Sequence, residues 1–202
     1  MKNKIHALIL SAGLSSRMGS PKALLDWHGK KLIDYQIETF HDLGIDKVSV
    51  VLGHEKEKIL PYIKKKSVRI INNLNYKEGK STSILEGIHS IIKEAENIIL
   101  ISVDQPRPAW FLKKILTNHF EKKAIITAPL FEQKRGHPII LNEKIYNQIL
   151  QINEYKNGMK DIFRQNNDLV NTVIMKNNWT HLDLNTKEIY QKALLYSLEN
   201  HE

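Results

Sequence analysis

Two hydrophobic rhythms alternate along this chain. Near-continuous Ile/Val/Leu runs, the pattern of strands buried on both faces, predict strands at 7–11, 47–52, 68–72, 98–103, 124–128, 138–141 and 170–175. Between them, apolar residues recur every three or four positions and predict helices at 32–43, 55–65, 81–94, 110–120, 142–150 and 187–199. Asn142 and Thr186 stand where side-chain oxygens would cap the last two helices. Regular strand–helix alternation predicts an α/β fold with a mostly parallel sheet. With no repeat and no Pro/Gly/Ser-rich linker, residues 1–202 read as one domain. Residues 130–167 break the alternation and are expected to hold an insertion on the substrate side.

Composition narrows the class. A hydrophobic fraction of 42% with 26% charged residues suits a packed core. No apolar run approaches the ~18 residues of a membrane span. The basic, briefly apolar start "MKNKIHALILSAG" reads as a first strand, not a signal peptide, and a cytoplasmic protein without a membrane partner is expected. The absence of cysteine removes disulfides, thiolate metal sites and a cysteine nucleophile. A net charge of +8 raises the question of nucleic acid. The charge is mostly scattered lysine, with arginine only at Arg17, Arg69, Arg107, Arg135 and Arg164. That is a poor base-reading set, so no nucleic-acid partner is expected.

Ligands of open α/β sheets bind beyond the carboxyl ends of the strands, so the segments after each strand carry the chemistry. After the first comes "SAGLSSRMGSPK". Gly13 and Gly19 let backbone N–H groups approach an anion, and Arg17 and Lys22 add positive charge. The pattern is neither GxGxxG nor GxxxxGK[ST], and an ordinary Gly/Ser turn would look similar. After the strand "NIILISV", Asp104 opens "DQPRP". An acid there suits a metal ion, or simply starts a turn. Gly79 precedes Ser81 and Ser83 at the start of a helix, where free N–H groups and hydroxyls can bind anions or merely cap. Asp183 precedes the last helix, where the dipole also favours an acid. His137 in "RGHPII" fits no metal-ligand spacing and reads as a structural residue, Lys160 in "NGMKDIF" reads as a surface lysine or a phosphate contact, and no G-x-S-x-G elbow is present.

Taken together, "LILSAGLSSRMGSPKALL" resembles the nucleotidyltransferase signature L-A-A-G-x-S-x-R-M-G-x-P-K-x-L-L. The chain is similar to the family of molybdenum-cofactor cytidylyl- and guanylyltransferases and their relatives. "NNLNYKEGKSTSILEGI", "ISVDQP", "RGHPIIL" and "LDLNTKEIY" extend the likeness from Leu8 to Tyr190. The resemblance implies a Rossmann-like three-layer nucleotidyltransferase fold with a mostly parallel sheet. It implies Mg²⁺-dependent transfer of a nucleoside monophosphate, CMP from CTP in the favoured branch, to a phosphorylated small-molecule acceptor such as molybdopterin. A molybdoenzyme or its chaperone would be a protein partner.

On single residues, the resemblance implies that Leu10, Ser11, Ala12 and Gly13 meet the nucleotide through their backbones. Arg17 and Lys22 would be catalytic, holding the triphosphate as pyrophosphate leaves. Asn73, Gly79 and Ser83 would lie near base and ribose. Asp104 would be both catalytic and a metal ligand, with Asp183 sharing the metal. Gly136, His137, Pro138 and Lys160 would face the acceptor. The chain departs from the pattern at Ser11, at "GMKDIF" in place of a "GDKGAR"-like segment, and at Asn185 in place of the second acid of the last motif. Transfer to a sugar phosphate or another phosphometabolite, and a non-catalytic nucleotide-binding accessory role, are the rival readings.

Overall fold

The computed structural model describes residues 5–14, 18–64, 67–156 and 158–199. In chain order the strands are β1 (Ile5–Ser11), β2 (Asp26–Trp27), β3 (Lys30–Lys31), β4 (Val48–Leu52), β5 (Arg69–Asn72), β6 (Asn97–Ser102), β7 (Ile126–Phe131), β8 (Lys134–Arg135), β9 (Ile139–Asn142) and β10 (Val170–Ile174). The helices are α1 (Leu32–Asp42), α2 (Lys56–Ile59), α3 (Lys80–Ile91), α4 (Ala109–Lys122), α5 (Tyr146–Ile149), α6 (Met159–Gln165) and α7 (Lys187–Glu199).

The sheet order is β10-β7-β9-β6-β1-β4-β5, with β8 paired to β7. β1 sits between β4 and β6, parallel to both. Only β9 on this path runs against its neighbours, β6 and β7. Its register pairs Leu100 with Ile139 and Asn97 with Asn142. The start of β9, not its end, therefore lies at the carboxyl ends of the other strands.

Every residue of β1 is buried, and alternate side chains serve opposite faces. Ala7 and Ile9 join the core formed with α1, α4 and α7. Leu8 and Leu10 join the core formed with α3, α5 and α6. The result is a three-layer α/β fold with a mostly parallel sheet. Gly87 lets α3 approach β1 closely: a Cβ there would meet Leu8 Cδ2 at 2.6 Å.

Some expected elements are shorter. The helix expected over 55–65 ends at Ile59 and tightens into a 3₁₀ turn at Leu60–Tyr62, because Pro61 cannot continue the α-helical ladder. The helix expected over 142–150 is a 3₁₀ turn at Glu143–Ile145 followed by α5. Asn142 does cap it, accepting the Lys144 N–H at 3.2 Å. Thr186 Oγ1 accepts the Ile189 N–H at 3.3 Å. No helix among the described residues is long and apolar enough to cross a membrane.

Candidate functional site at the carboxyl ends of the strands

β1 ends at Ser11, and Ala12 and Gly13 carry the chain out over the sheet. The chain returns through Pro21 into a 3₁₀ turn at Lys22–Leu24, closed by Leu25 N–H donating to Lys22 O at 3.1 Å. This turn fixes the Lys22 backbone over the end of β6. The Lys22 ammonium donates to Asp104 Oδ2 at 2.6 Å and to Asn185 Oδ1 at 2.8 Å. Three segments far apart in sequence therefore converge on one cation. Arg17, expected beside Lys22, lies outside the described residues.

Asp104 is held from both sides. Val103 N–H donates to Leu10 O at 2.9 Å, and Leu184 N–H donates to Asp104 O at 2.8 Å. Gln105 braces the turn, its Oε1 accepting the Ser102 N–H at 3.0 Å. Asp183, on the same cavity wall, pairs with a different cation: its carboxylate lies 3.8 Å from Arg107 Nη2. Burial raises its pKa above the ordinary aspartate value, Arg107 opposes that rise, and Asp104 adds to it.

Arg107 was not among the residues singled out from sequence. Its side chain is fully buried. It donates to the carbonyls of Pro106 at 2.9 Å, His137 at 3.0 Å, Thr180 at 3.2 Å and Leu182 at 2.7 Å. Burial pulls its pKa down to about 10, against the pull of Asp183 and Asp104, so it stays charged at neutral pH. One guanidinium thus ties the Asp104 loop to the start of β9 and to the segment that carries Asp183. The available sequence signal was an arginine between two prolines after a buried strand.

A cavity of about 540 Å³ opens over these groups. Leu10, Ser11, Ala12, Gly13, Lys22, Gly79, Ser83, Asp104, Asp183 and Asn185 are on its wall, together with Lys80 and Tyr76. Asn73 is not. It is buried behind the wall, where its amide donates to Thr82 Oγ1 and Ser83 Oγ, each at 2.9 Å, and its carbonyl accepts the Asn75 N–H at 2.9 Å. It reaches the cavity only through Ser83.

A second cavity of about 200 Å³ adjoins the first, sharing Leu10, Lys80 and Ser102. His137 and Lys160 line it, with Ser81, Glu154, Gly158 and Met159. Gly136 and Pro138 stand outside both linings. Gly136 packs on the Thr180 carbonyl so closely that no Cβ would fit. Pro138 is buried where the chain enters β9, after a cis peptide. Burial, with Lys80 and Arg107 adding repulsion, pulls the His137 pKa down to about 3, so its ring is neutral.

The donor chemistry suits a hard divalent cation. Asp104 and Asn185 turn oxygens toward one positive charge, with Asp183 nearby, and oxygen is what Mg²⁺ and Mn²⁺ prefer. Among the described residues no cluster of three or more His, Cys, Asp or Glu forms. Such a cation would therefore complete its shell with phosphate and water oxygens, as Mg²⁺ usually does.

The profile of the MobA-like NTP transferase domain matches residues 7–170. The chain belongs to that family. It is an enzyme of the nucleotidyltransferase class. Relatives of this MobA-like chain are distant and varied. It is 25% identical over 200 residues to nicotine blue oxidoreductase of Paenarthrobacter nicotinovorans, covering 94% of this chain and 96% of that one. It is 28% identical over 205 residues to a probable molybdenum cofactor guanylyltransferase of Bacillus cereus, covering 95% and 96%. Against molybdenum cofactor cytidylyltransferase of Escherichia coli it is 26% identical over 148 residues, covering 73% and 74%. The crystal structure of Rv0371C from Mycobacterium tuberculosis, a complex with manganese, shares the fold. Its TM-score is 0.77 at 17% identity, over 96% of this chain and 100% of that one.

Proposed function

We propose that the protein transfers a nucleoside monophosphate, CMP from CTP in the first instance, to a phosphorylated acceptor such as the molybdopterin cofactor, releasing pyrophosphate. The observation that carries this reading is the convergence of Lys22, Asp104 and Asn185 beneath a cavity bordered by the backbone of residues 10–13. The neighbouring cavity gives a second reactant its own place. Cytosine and the molybdenum cofactor are favoured by the cytidylyltransferase relative. A guanylyltransferase relative of similar identity makes GTP the first alternative donor.

The reaction asks for alignment and charge neutralisation more than for a protein nucleophile. Residues 10–13 would offer their backbone to the triphosphate, with Gly79 and Ser83 toward the sugar and base. Asn73 would hold Ser83 in place. Lys22 would turn from Asp104 to the phosphates, and Arg17 would join it. A divalent ion, Mg²⁺ in this reading, would be held by Asp104 and Asp183, with the Asn185 amide oxygen beside them. When bound it supplies positive charge at the phosphate oxygens. His137 and Lys160 would meet the acceptor directly, whereas Gly136 and Pro138 would shape the approach. The chain would act as one catalytic domain, residues 130–167 contributing the acceptor side.

The test is pyrophosphate release from CTP, GTP, ATP and UTP with Mg²⁺ or Mn²⁺, with and without phosphorylated acceptors. A thermal-shift series with the same nucleotides reads binding, since a saturating ligand raises apparent stability by mass action. Selective stabilisation by CTP with acceptor-dependent release supports the proposal. Binding with no release under any condition favours the accessory role, and release with a sugar phosphate favours that rival acceptor.

A further inference from the structure

Leu10, Lys80 and Ser102 line both cavities, and of these only Lys80 carries charge. The Lys80 side chain makes no hydrogen bond or ion pair among the described residues. Its charge nevertheless reaches groups on both sides: Asp183 on the first cavity, and His137 and Glu154 on the second.

The backbone that presents Lys80 is locked on both flanks. Gly79 has φ +113, and a Cβ there would meet Glu154 Cδ at 2.6 Å. Ser81 N–H donates to Glu154 Oε2 at 2.9 Å. Lys80 is also the first residue of α3, whose first turn holds no acid. A cation at that end opposes the helix dipole, so local helix stability does not explain the lysine.

We propose that Lys80 binds the phosphate of the acceptor and holds it against the α-phosphorus of the nucleotide. This inference rests on the nucleotidyl-transfer reading. The acceptor class is a phosphomonoester whose ionised oxygen is the nucleophile. That oxygen forms a bond to the α-phosphorus, and the bond from the α-phosphorus to the α,β-bridging oxygen breaks. The electron pair leaves with pyrophosphate, and no proton need be removed. The barrier to overcome is repulsion between two anions, and a cation shared by both cavities lowers it.

The experiment uses the full chain, Mg²⁺ and the α,β-methylene analogues of the four nucleoside triphosphates, which cannot release pyrophosphate. Inorganic phosphate is the acceptor probe, titrated into the analogue complex and followed by ³¹P line broadening. The variants are K80M and K80R. Lys80 is exposed, and both replacements are unbranched residues of high helix propensity, so the fold should tolerate them. In K80M the phosphate Kd is expected to rise about tenfold or more, the worth of one charge-assisted contact. K80R is expected to recover most of that loss, with analogue affinity within about threefold of wild type in both variants.

Unchanged phosphate binding in K80M overturns the inference. So does a loss of analogue affinity equal to the loss of phosphate affinity, or a wild-type complex that does not bind phosphate saturably. If none of the four analogues binds wild type, the nucleotidyl reading falls and this inference with it.

Discussion

The Lys22 ammonium lies 2.6 Å from the Asp104 carboxylate, although 82 residues separate them, and both side chains are largely shielded from water. In the proposed reaction, such a pair at the foot of the larger cavity would hold positive and negative charge ready for a polyphosphate and its counter-ion. Removing either charge should strip the site of transition-state stabilisation. K22A and D104A are each expected to lower turnover about 10²-fold or more. Pyrophosphate release by variants that keep the wild-type circular dichroism checks this. Near-normal rates in both would reject the assigned roles.

Arg107 offers a different kind of test, because its partners are carbonyls. Arg107→Met would leave the carbonyls of His137, Thr180 and Leu182 short of donors and Asp183 without its cation. Breaking a buried charge network of this kind costs about 3–5 kcal/mol. Urea denaturation reads the loss directly. Arg107→Lys should recover little, since an ammonium cannot reproduce the planar fork.

Two buried histidines set an acid limit on stability. His6 Nε2 lies 2.8 Å from Ser49 Oγ, and His119 bridges Thr127 and Asn97 at 2.8 and 3.1 Å. Burial pulls each pKa from 6.5 to about 4. The unfolded chain therefore binds more protons between these values, and stability must fall as pH falls through that window. The stabilisation is fully present above pH 6.5 and largely gone below 4, on the order of 3 kcal/mol for each ring. Urea midpoints measured from pH 7.5 down to 4 should show the decline. Replacing His119 by Gln should make it shallower, and a flat profile in wild type would contradict the assignment.

Gly87 sets two known effects against each other. In an exposed helix interior, Gly→Ala gains about 1 kcal/mol. Here the added methyl would collide with Leu8, which is fully buried in the core. Overpacking of this kind costs about 1–3 kcal/mol, so G87A is expected to be net destabilising. Thermal melts of G87A, and of G87A combined with L8V to make room, decide which term wins.

The sheet was legible in sequence because its central strands are buried on both faces and read as unbroken apolar runs. The hairpin of β2 and β3 was not. Its turn residues, His28 and Gly29, both have positive φ, but a histidine at the first position is not the usual Asn or Asp cue. α6 was also hidden, since its seven residues are too short for a clear helical period. At the site, Lys22 and Asp104 stood out from their place after strands. Arg107 did not, because three of its four acceptors lie 30 to 75 residues away and nothing local reveals that they converge. Asn185 was visible only as a missing acid, whereas in the fold its amide oxygen shares Lys22 with Asp104.

The reversed strand β9 has a consequence for how such an enzyme can change. The first cavity draws mainly on chain that leaves strands, whereas much of the second draws on the chain entering β9, on Glu154 and on residues 158–160. In the proposed reaction, donor recognition and recipient recognition would thus be written on largely separate stretches of one polypeptide. Drift at Lys160 and its neighbours would then redirect where a nucleotide is delivered while the machinery that activates it is inherited intact.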